Sequence, residues 1–251
     1  MMSTVPAHDR SVETVPVTIA ERHWLDCLDG IADDAHLRDW LAEPRFQGRL
    51  IARLRARHQL SPADELPALA EADRRLCRLD TQEAARCARA AGVIVHADAF
   101  AQAIQAAQVS ALRARFGTEL HALALETRDQ PRPDVRETPQ ATDIEALEAA
   151  VERDGRRSLI AWYQAQPPAW RAWLALGWPL RLITEHNAAD RDAVPENAAP
   201  EGAVHEVALH EPKSAPADDA AVAVARLAGE ALSARSATGH RPENDHDEES
   251  S

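Results

Sequence analysis

The chain is predicted to be all-α, an irregular multi-helix single domain with a disordered leader and an acidic, largely disordered C-terminal tail. Three observations carry that expectation. Helix formers (Ala, Leu, Arg, Glu, Gln) dominate, while strand formers are sparse, with three Phe, one Tyr and few Ile. Only nine Gly occur in 251 residues, and the two nearest, Gly229 and Gly239, are far apart for a tight turn. Apolar residues recur at spacings of three and four over most of the chain, the period of a helix with one buried face.

Residues 1–17 are polar and contain Pro6 and Pro16, which predicts a flexible leader. The helical domain is expected over 18–186. Ile19–Leu28 carries Trp24 and Leu25, and Asp33 or Asp34 is a candidate N-cap for a helix through Leu41 that carries Leu37 and Trp40. Pro44 suits the first turn of a third helix, in which Phe46, Leu50 and Leu54 form an apolar stripe. Beside it Arg45, Arg49, Arg53 and Arg57 form a second stripe at the same spacing.

Ser61-Pro62 and Pro67 mark a connection, after which Leu69–Leu79 reads as helix. Asp80, followed three residues later by Glu83, is a capping-box start with Asp in place of Ser or Thr. Gly92 reads as the end of that helix, and Val93–His96 as a buried connection. Asp98 then caps what the periodicity predicts to be the longest helix, about Ala99 to Thr127. Its stripe is Phe100, Ile104, Ala107, Leu112, Phe116, Leu120 and Leu123.

Gln130–Pro139, with three Pro, is an exposed loop, and Asp143 opens a helix through about Gln164. Pro167-Pro168 interrupts that helix and restarts it as Ala169–Gly177; Trp178-Pro179 turns the chain into a last segment, Leu180–Thr184. The ordered core is expected to end near His186. Residues 187–251 form an Ala/Pro/acidic tail with a possible short helix at 221–234, whose apolar face is Val and Ala with only Leu227 and Leu232.

Net charge is −13, and residues 187–251 account for −9 of it, with fourteen Asp/Glu against five Lys/Arg. So acidic a chain lacks the basic footprint of a nucleic-acid binder. The three Cys (27, 77, 87) show no paired spacing and read as free, buried thiols of a reducing compartment. No signal peptide and no spanning apolar stretch is visible, so a cytoplasmic location without direct membrane insertion is expected.

No chemistry-bearing motif emerges. Phosphate cradles need closely spaced Gly, which are absent, so no cofactor is expected. The closest His pairs, His205/His210 and His240/His246, do not share a helical face, so no metal site is expected either. Cys77 or Cys87 with His96 is an imaginable nucleophile, but a Cys in an Ala-rich helix behaves as a small hydrophobe. Acid pairs such as Asp33/Asp34 read as caps. No catalytic residue is assigned, and a non-enzymatic protein is expected. The Arg45/49/53/57 stripe is either a solvated face whose stems cover apolar surface or a docking face for an acidic partner.

Four of the six Trp (162, 170, 173, 178) and the lone Tyr163 fall within Ser158–Leu180. Such a run is a core anchor or an interface hot spot. Trp162 and Trp170 are expected to close the bundle beside the Pro pair. Trp173 and Trp178 diverge from the face of Trp170 and are the candidates for partner contact.

Two stretches read together carry a family resemblance. Leu76–Ile104 (LCRLDTQEAARCARAAGVIVHADAFAQAI) and the segment AWYQAQPPAWRAWLALGWPL resemble, in order and separation, the SctK family (YscK, OrgA and MxiK types) of type III secretion accessory proteins. Cys77, Arg78, Leu79, Cys87, Gly92, His96, Trp162, Pro167 and Trp170 are the aligned positions, and the similarity spans about Leu69–Leu180. The resemblance implies a cytoplasmic adaptor of the sorting platform, peripheral at the inner membrane, with an SctD-type ring protein and an SctQ-type pod protein as partners. The alternatives are a nucleic-acid-binding regulator using the Arg45–Arg57 helix and a thiol-based sensor.

Overall fold

The computed structural model describes residues 15–28, 34–135, 139–177 and 219–238, and every regular element among them is helical. In chain order these are α1 (Glu21–Cys27), α2 (Asp34–Ala42), α3 (Pro44–His58), α4 (Glu71–Cys77), α5 (Thr81–Val95) and α6 (Ala97–Ala101). They continue with α7 (Ala106–Phe116), α8 (Thr118–Glu126), α9 (Ile144–Ala165), α10 (Pro168–Leu174) and α11 (Asp219–Thr238). The expectations for residues 1–14, the Asp33 cap, Trp178, Leu180–Thr184 and the tail stretches 187–218 and 239–251 lie outside the described residues.

Local chemistry starts several helices where the spacing predicts. Asp80 accepts the Glu83 amide at 2.7 Å while the Glu83 carboxylate accepts the Asp80 amide at 3.0 Å, a complete capping box for α5. Asp143 accepts the Ala146 amide at 3.0 Å and starts α9. Pro44 and Pro168 each occupy the first turn of their helices, where the missing N–H costs nothing. Loss of such a cap removes about 1 kcal/mol.

The centre of the fold is the crossing of α5 and α9. Along α9, Leu147, Val151, Asp154, Gly155, Ser158, Leu159 and Trp162 form one buried face at helical spacing. The two glycines interlock. A Cβ at Gly92 would overlap the Val151 carbonyl, and a Cβ at Gly155 would overlap the Ala88 carbonyl and crowd the Gly92 amide. Gly92 therefore does not end α5, which continues to Val95 with His96 as its C-cap. Among described residues only Gln59 and Gly117 have positive φ, so Gly92 supplies close approach and not a turn.

The predicted long helix over Ala99–Thr127 is broken into α6, α7 and α8. Gly117, at φ 86°, separates α7 from α8 in a conformation that a side chain would strain. In one straight helix Phe100 and Phe116 would stand about 24 Å apart. The breaks instead bring their rings to 5.0 Å, edge to face, in a second small core with Leu112, Leu147 and Val151. Ile104, expected on the apolar stripe, lies in the break between α6 and α7 and is 88% exposed. Asp98 sits inside α6 and accepts from Arg132 at 3.0 Å; it is not the cap.

The core does not close near His186. The possible short helix at 221–234 is the longer α11, and its Val222, Val224, Ala225 and Ala228 are buried in the main core. It packs on α4, α5 and α9. Small side chains permit that approach: Gly229 stands against the Leu76 side chain with no room for a Cβ. At the other end, Val17 is buried although it falls within the predicted leader. The 17–20 segment crosses Gly177, where a Cβ would overlap the Thr18 carbonyl, and Ala20 donates its amide to Leu176 at 2.9 Å.

No helix among the described residues is long and apolar enough to cross a membrane.

Glycine substitutions separate these packing roles. Gly92→Ala and Gly155→Ala should each destabilise by about 3 kcal/mol, the upper end of ordinary overpacking, since backbone must move. Gly48→Ala, in α3 with nothing near its Cβ, should stabilise by about 0.5–1 kcal/mol. Urea unfolding followed by Trp fluorescence checks all three.

Candidate interaction surfaces

α3 lies on α1 and α2, which it covers with Leu50, Ile51 and Leu54. The rotation that buries those residues leaves Arg45, Arg49, Arg53 and Arg57 exposed, so the four predicted site residues do share one face. The face is not uniform. The Arg45 guanidinium stands 4.7 Å from the Phe46 ring centroid and pairs with Glu43 at 3.5 Å. Arg57 donates from Nε and Nη2 to the two Asp26 carboxylate oxygens, both at 3.2 Å, and so ties α3 to α1. That pair is solvent-exposed and contributes at most about 1 kcal/mol. Its Arg serves the fold as much as any partner.

The described members of the Trp run face inward. Trp162 and Trp173 are fully buried and Trp170 is nearly so. Trp173, a candidate for partner contact, is therefore a core residue. Three residues along a helix turn the side chain by 300°, which leaves Trp173 only about 60° from Trp170, within one apolar face. Trp178 lies outside the described residues.

The three indoles are also donors. Trp173 Nε1 donates to the Ser61 carbonyl at 3.0 Å, Trp170 Nε1 to the Pro67 carbonyl at 2.8 Å, and Trp162 Nε1 to Asp73 Oδ1 at 2.8 Å. Their acceptors follow in sequence along 61–73, a segment whose only regular structure before α4 is a single 3₁₀ turn at Ala63–Glu65. Trp170 and Trp173 each satisfy a main-chain carbonyl of this irregular segment and Trp162 a side-chain carboxylate of α4, and a buried acceptor of this kind would cost about 1–3 kcal/mol to leave unmet.

Asp73 joins this ladder to α11. Its buried carboxylate accepts Trp162 Nε1 on Oδ1, and Arg226 closes a bidentate pair with Nε at 2.7 Å and Nη2 at 2.9 Å. The hydrogen bond that Arg226 donates to Asp73 also pushes the Arg226 pKa up.

A second buried carboxylate sits at the α5–α9 crossing. His96 is fully buried, and its Nε2 lies 2.9 Å from Asp154 Oδ2. Arg153 donates to both Asp154 oxygens at 3.0 and 2.8 Å, and Arg157 approaches at 3.5 Å. Burial alone would raise the Asp154 pKa, but the hydrogen bonds from His96 and Arg153, with the Arg153 charge, hold it well below the usual carboxylate range. With Asp154 ionised, Nε2 is the donor.

Neither Asp73 nor Asp154 stands out among catalytic or ligand motifs. The signal each does carry is position: a carboxylate on the apolar face of a helix, where Asp is found only when paired. The partners could not be read from spacing, because Arg226 and His96 are remote in sequence.

Cys27, Cys77 and Cys87 are free and buried. Desolvation pushes both the Cys77 and the Cys87 thiol up to about 12, with Asp73 adding to the rise at Cys77. Thiolate at these two positions is negligible near neutral pH, which removes the nucleophile that a Cys–His reading would need. Among the described residues no group of three or more His, Cys, Asp or Glu is placed to hold a metal ion.

Compared with protein-family models, with curated proteins and with solved structures, the chain matches none.

The two carboxylates are separable by experiment. Asp73→Asn keeps an acceptor for Trp162 but weakens the Arg226 clamp. It should cost about 2 kcal/mol, the scale of charged hydrogen bonds, and hydrogen exchange should quicken first at the amides of Val222–Ala228. Asp154 has a depressed pKa in the folded protein, so its stabilisation is present above the unfolded value of about 3.9 and is lost as pH falls toward the folded value. Asp154→Asn should therefore lower stability at pH 7 by about 2 kcal/mol and flatten its decline below about pH 4. Denaturant titrations at several pH values read both effects.

Proposed function

We propose that this chain is a non-enzymatic adaptor of the type III secretion sorting platform, cytoplasmic and held peripherally at the inner membrane by its partners. In this reading it links an SctD-type inner-membrane ring protein to an SctQ-type pod protein. The observation that carries the proposal is the exposed Arg45/49/53/57 face of α3, a cationic stripe on a chain of net charge −13. Local charge of the opposite sign to the whole protein favours oriented docking on an acidic surface over general attraction to polyanions.

The resemblance to the SctK family supports the choice of system. Of its nine aligned positions, Cys77, Cys87, Gly92, His96, Trp162 and Trp170 are buried, Leu79 and Pro167 are half-buried and Arg78 is exposed, so most of them define a fold rather than a contact. With the Trp run turned inward, the Arg face becomes the main candidate for partner contact. An adaptor that acts by geometry needs a rigid body, and the interlocked α5–α9 pair supplies one.

Co-purification with SctD-type and SctQ-type proteins tests the reading. Wild type should retain both. Arg45→Glu combined with Arg49→Glu should weaken one of the two by about tenfold, as rim charges do, with no change in thermal unfolding. Retention of neither partner by wild type rejects the adaptor. A nucleic-acid regulator would use the same four Arg, and DNA binding at low salt that falls steeply as salt rises would favour it instead.

A further inference from the structure

A cleft of about 500 Å³ opens between α5, the α7–α8 junction and α11. Its floor is apolar, formed by Phe116, Leu120 and Leu232. Arg86 and Arg89 from α5 and Arg235 from α11 stand around it, against one acidic member, Glu119. Arg89 is held in place: its Nη2 donates to the Arg115 carbonyl at 3.0 Å and to Glu148 at 3.1 Å, and its guanidinium lies 5.4 Å from the Phe116 ring centroid. The start of α8 also faces the cleft. Its N-cap is Gly117, which has no side chain to satisfy the first amides of the helix. Guanidiniums on two elements and an uncapped helix start thus converge over an apolar floor, an arrangement suited to carboxylates carried on a peptide.

We propose that this cleft is an acidic-peptide site whose occupant is the chain's own segment after α11, residues 239–251. Charge and reach both argue for it. The segment carries Glu243, Asp245, Asp247, Glu248 and Glu249 against a single Arg241. α11 is described to Thr238, three residues beyond the cleft-lining Arg235, so the segment begins at the rim. From Thr238 to Glu243 an extended chain spans about 16 Å, against about 10 Å for the width of a cavity of this volume. Tethering at that distance gives the segment an advantage over any free acidic peptide, because its local concentration does not depend on how much protein is present. The docked segment screens Arg86 and Arg235 from other polyanions, and a partner's acidic motif would have to displace it.

The full chain carries the test. Ser250→Cys is labelled with a nitroxide, the three native thiols being buried. Amide signals of Thr118, Glu119 and Leu120 should then be selectively broadened at low salt, and should recover in high salt, where screening shortens the range of the attraction. Arg86→Glu with Arg235→Glu should abolish the broadening. The same loss is expected when Glu243, Asp245, Asp247, Glu248 and Glu249 are changed to their amides, a variant that leaves the helical body intact. Full signal intensity at Thr118–Leu120 in the otherwise native chain overturns the proposal. So does broadening that survives either set of charge changes, or a foreign acidic peptide binding in the cleft with no broadening from the chain's own segment.

Discussion

At the crossing of α5 and α9 two helix backbones meet with no side chain between them, and many other contacts inherit their positions from it. Gly92 meets the Val151 carbonyl and Gly155 meets the Ala88 carbonyl, so each helix lays a glycine under the other's backbone. Helices this close leave no space for intervening side chains, and the buried area shifts to their flanks. There Trp162, Leu159 and Ile94 fill one side of the crossing, and Val93, Val151 and Leu147 the other. Two cores separated by one tight crossing are the result. The same approach brings His96 at the end of α5 to Asp154 in the middle of α9, so a buried hydrogen bond depends on two absent methyl groups.

Around that crossing, buried polar groups fasten one element to another. The indoles of Trp162, Trp170 and Trp173 reach acceptors at Asp73, Pro67 and Ser61 and hold a nearly structureless segment against the core. Asp73 then passes the connection to Arg226 and so to α11. Buried carboxylates of this kind are usually a signature of function. Here every oxygen is occupied by a neighbour within the fold, which makes a structural role the sufficient account. The outward chemistry that remains is cationic: the α3 stripe, and the cleft between α5, α8 and α11. Both are patches where arginines outnumber carboxylates, on a chain of net negative charge.

Particular elements show where reading the sequence worked and where it failed. The Asp80/Glu83 box, the Asp143 cap and the proline starts of α3 and α10 depend on neighbours within four residues, and all were legible. The Phe46, Leu50, Leu54 stripe and the exposed Arg stripe beside it were legible for the same reason. Gly92 was misread as a cap because a helix-ending glycine and a helix-crossing glycine have the same letter; Val151, far along the chain, tells them apart. The run Ala99–Thr127 keeps a helical period almost throughout; Gly117 is a local sign of a break that went unread, and the meeting of Phe100 with Phe116 is not written locally at all. The candidate site fared unevenly: the Arg face was visible, while Trp173 was assigned to the wrong side by an argument about direction along one short helix.

By itself the sequence determined the helical class, most helix starts, the burial of the three cysteines and the exposure of the arginine stripe. Those properties follow from propensity, capping and periodicity, which act over a turn or two. Only the tertiary structure decided that α11 belongs to the core, since its Val and Ala face becomes a packing surface only when Leu76 and the α5–α9 pair stand opposite it. Likewise it decided that Trp162, Trp170 and Trp173 turn inward and that Asp73 and Asp154 are paired. Each of these rests on contacts between residues tens of positions or more apart, and such contacts exist only once two glycines have let two helices meet.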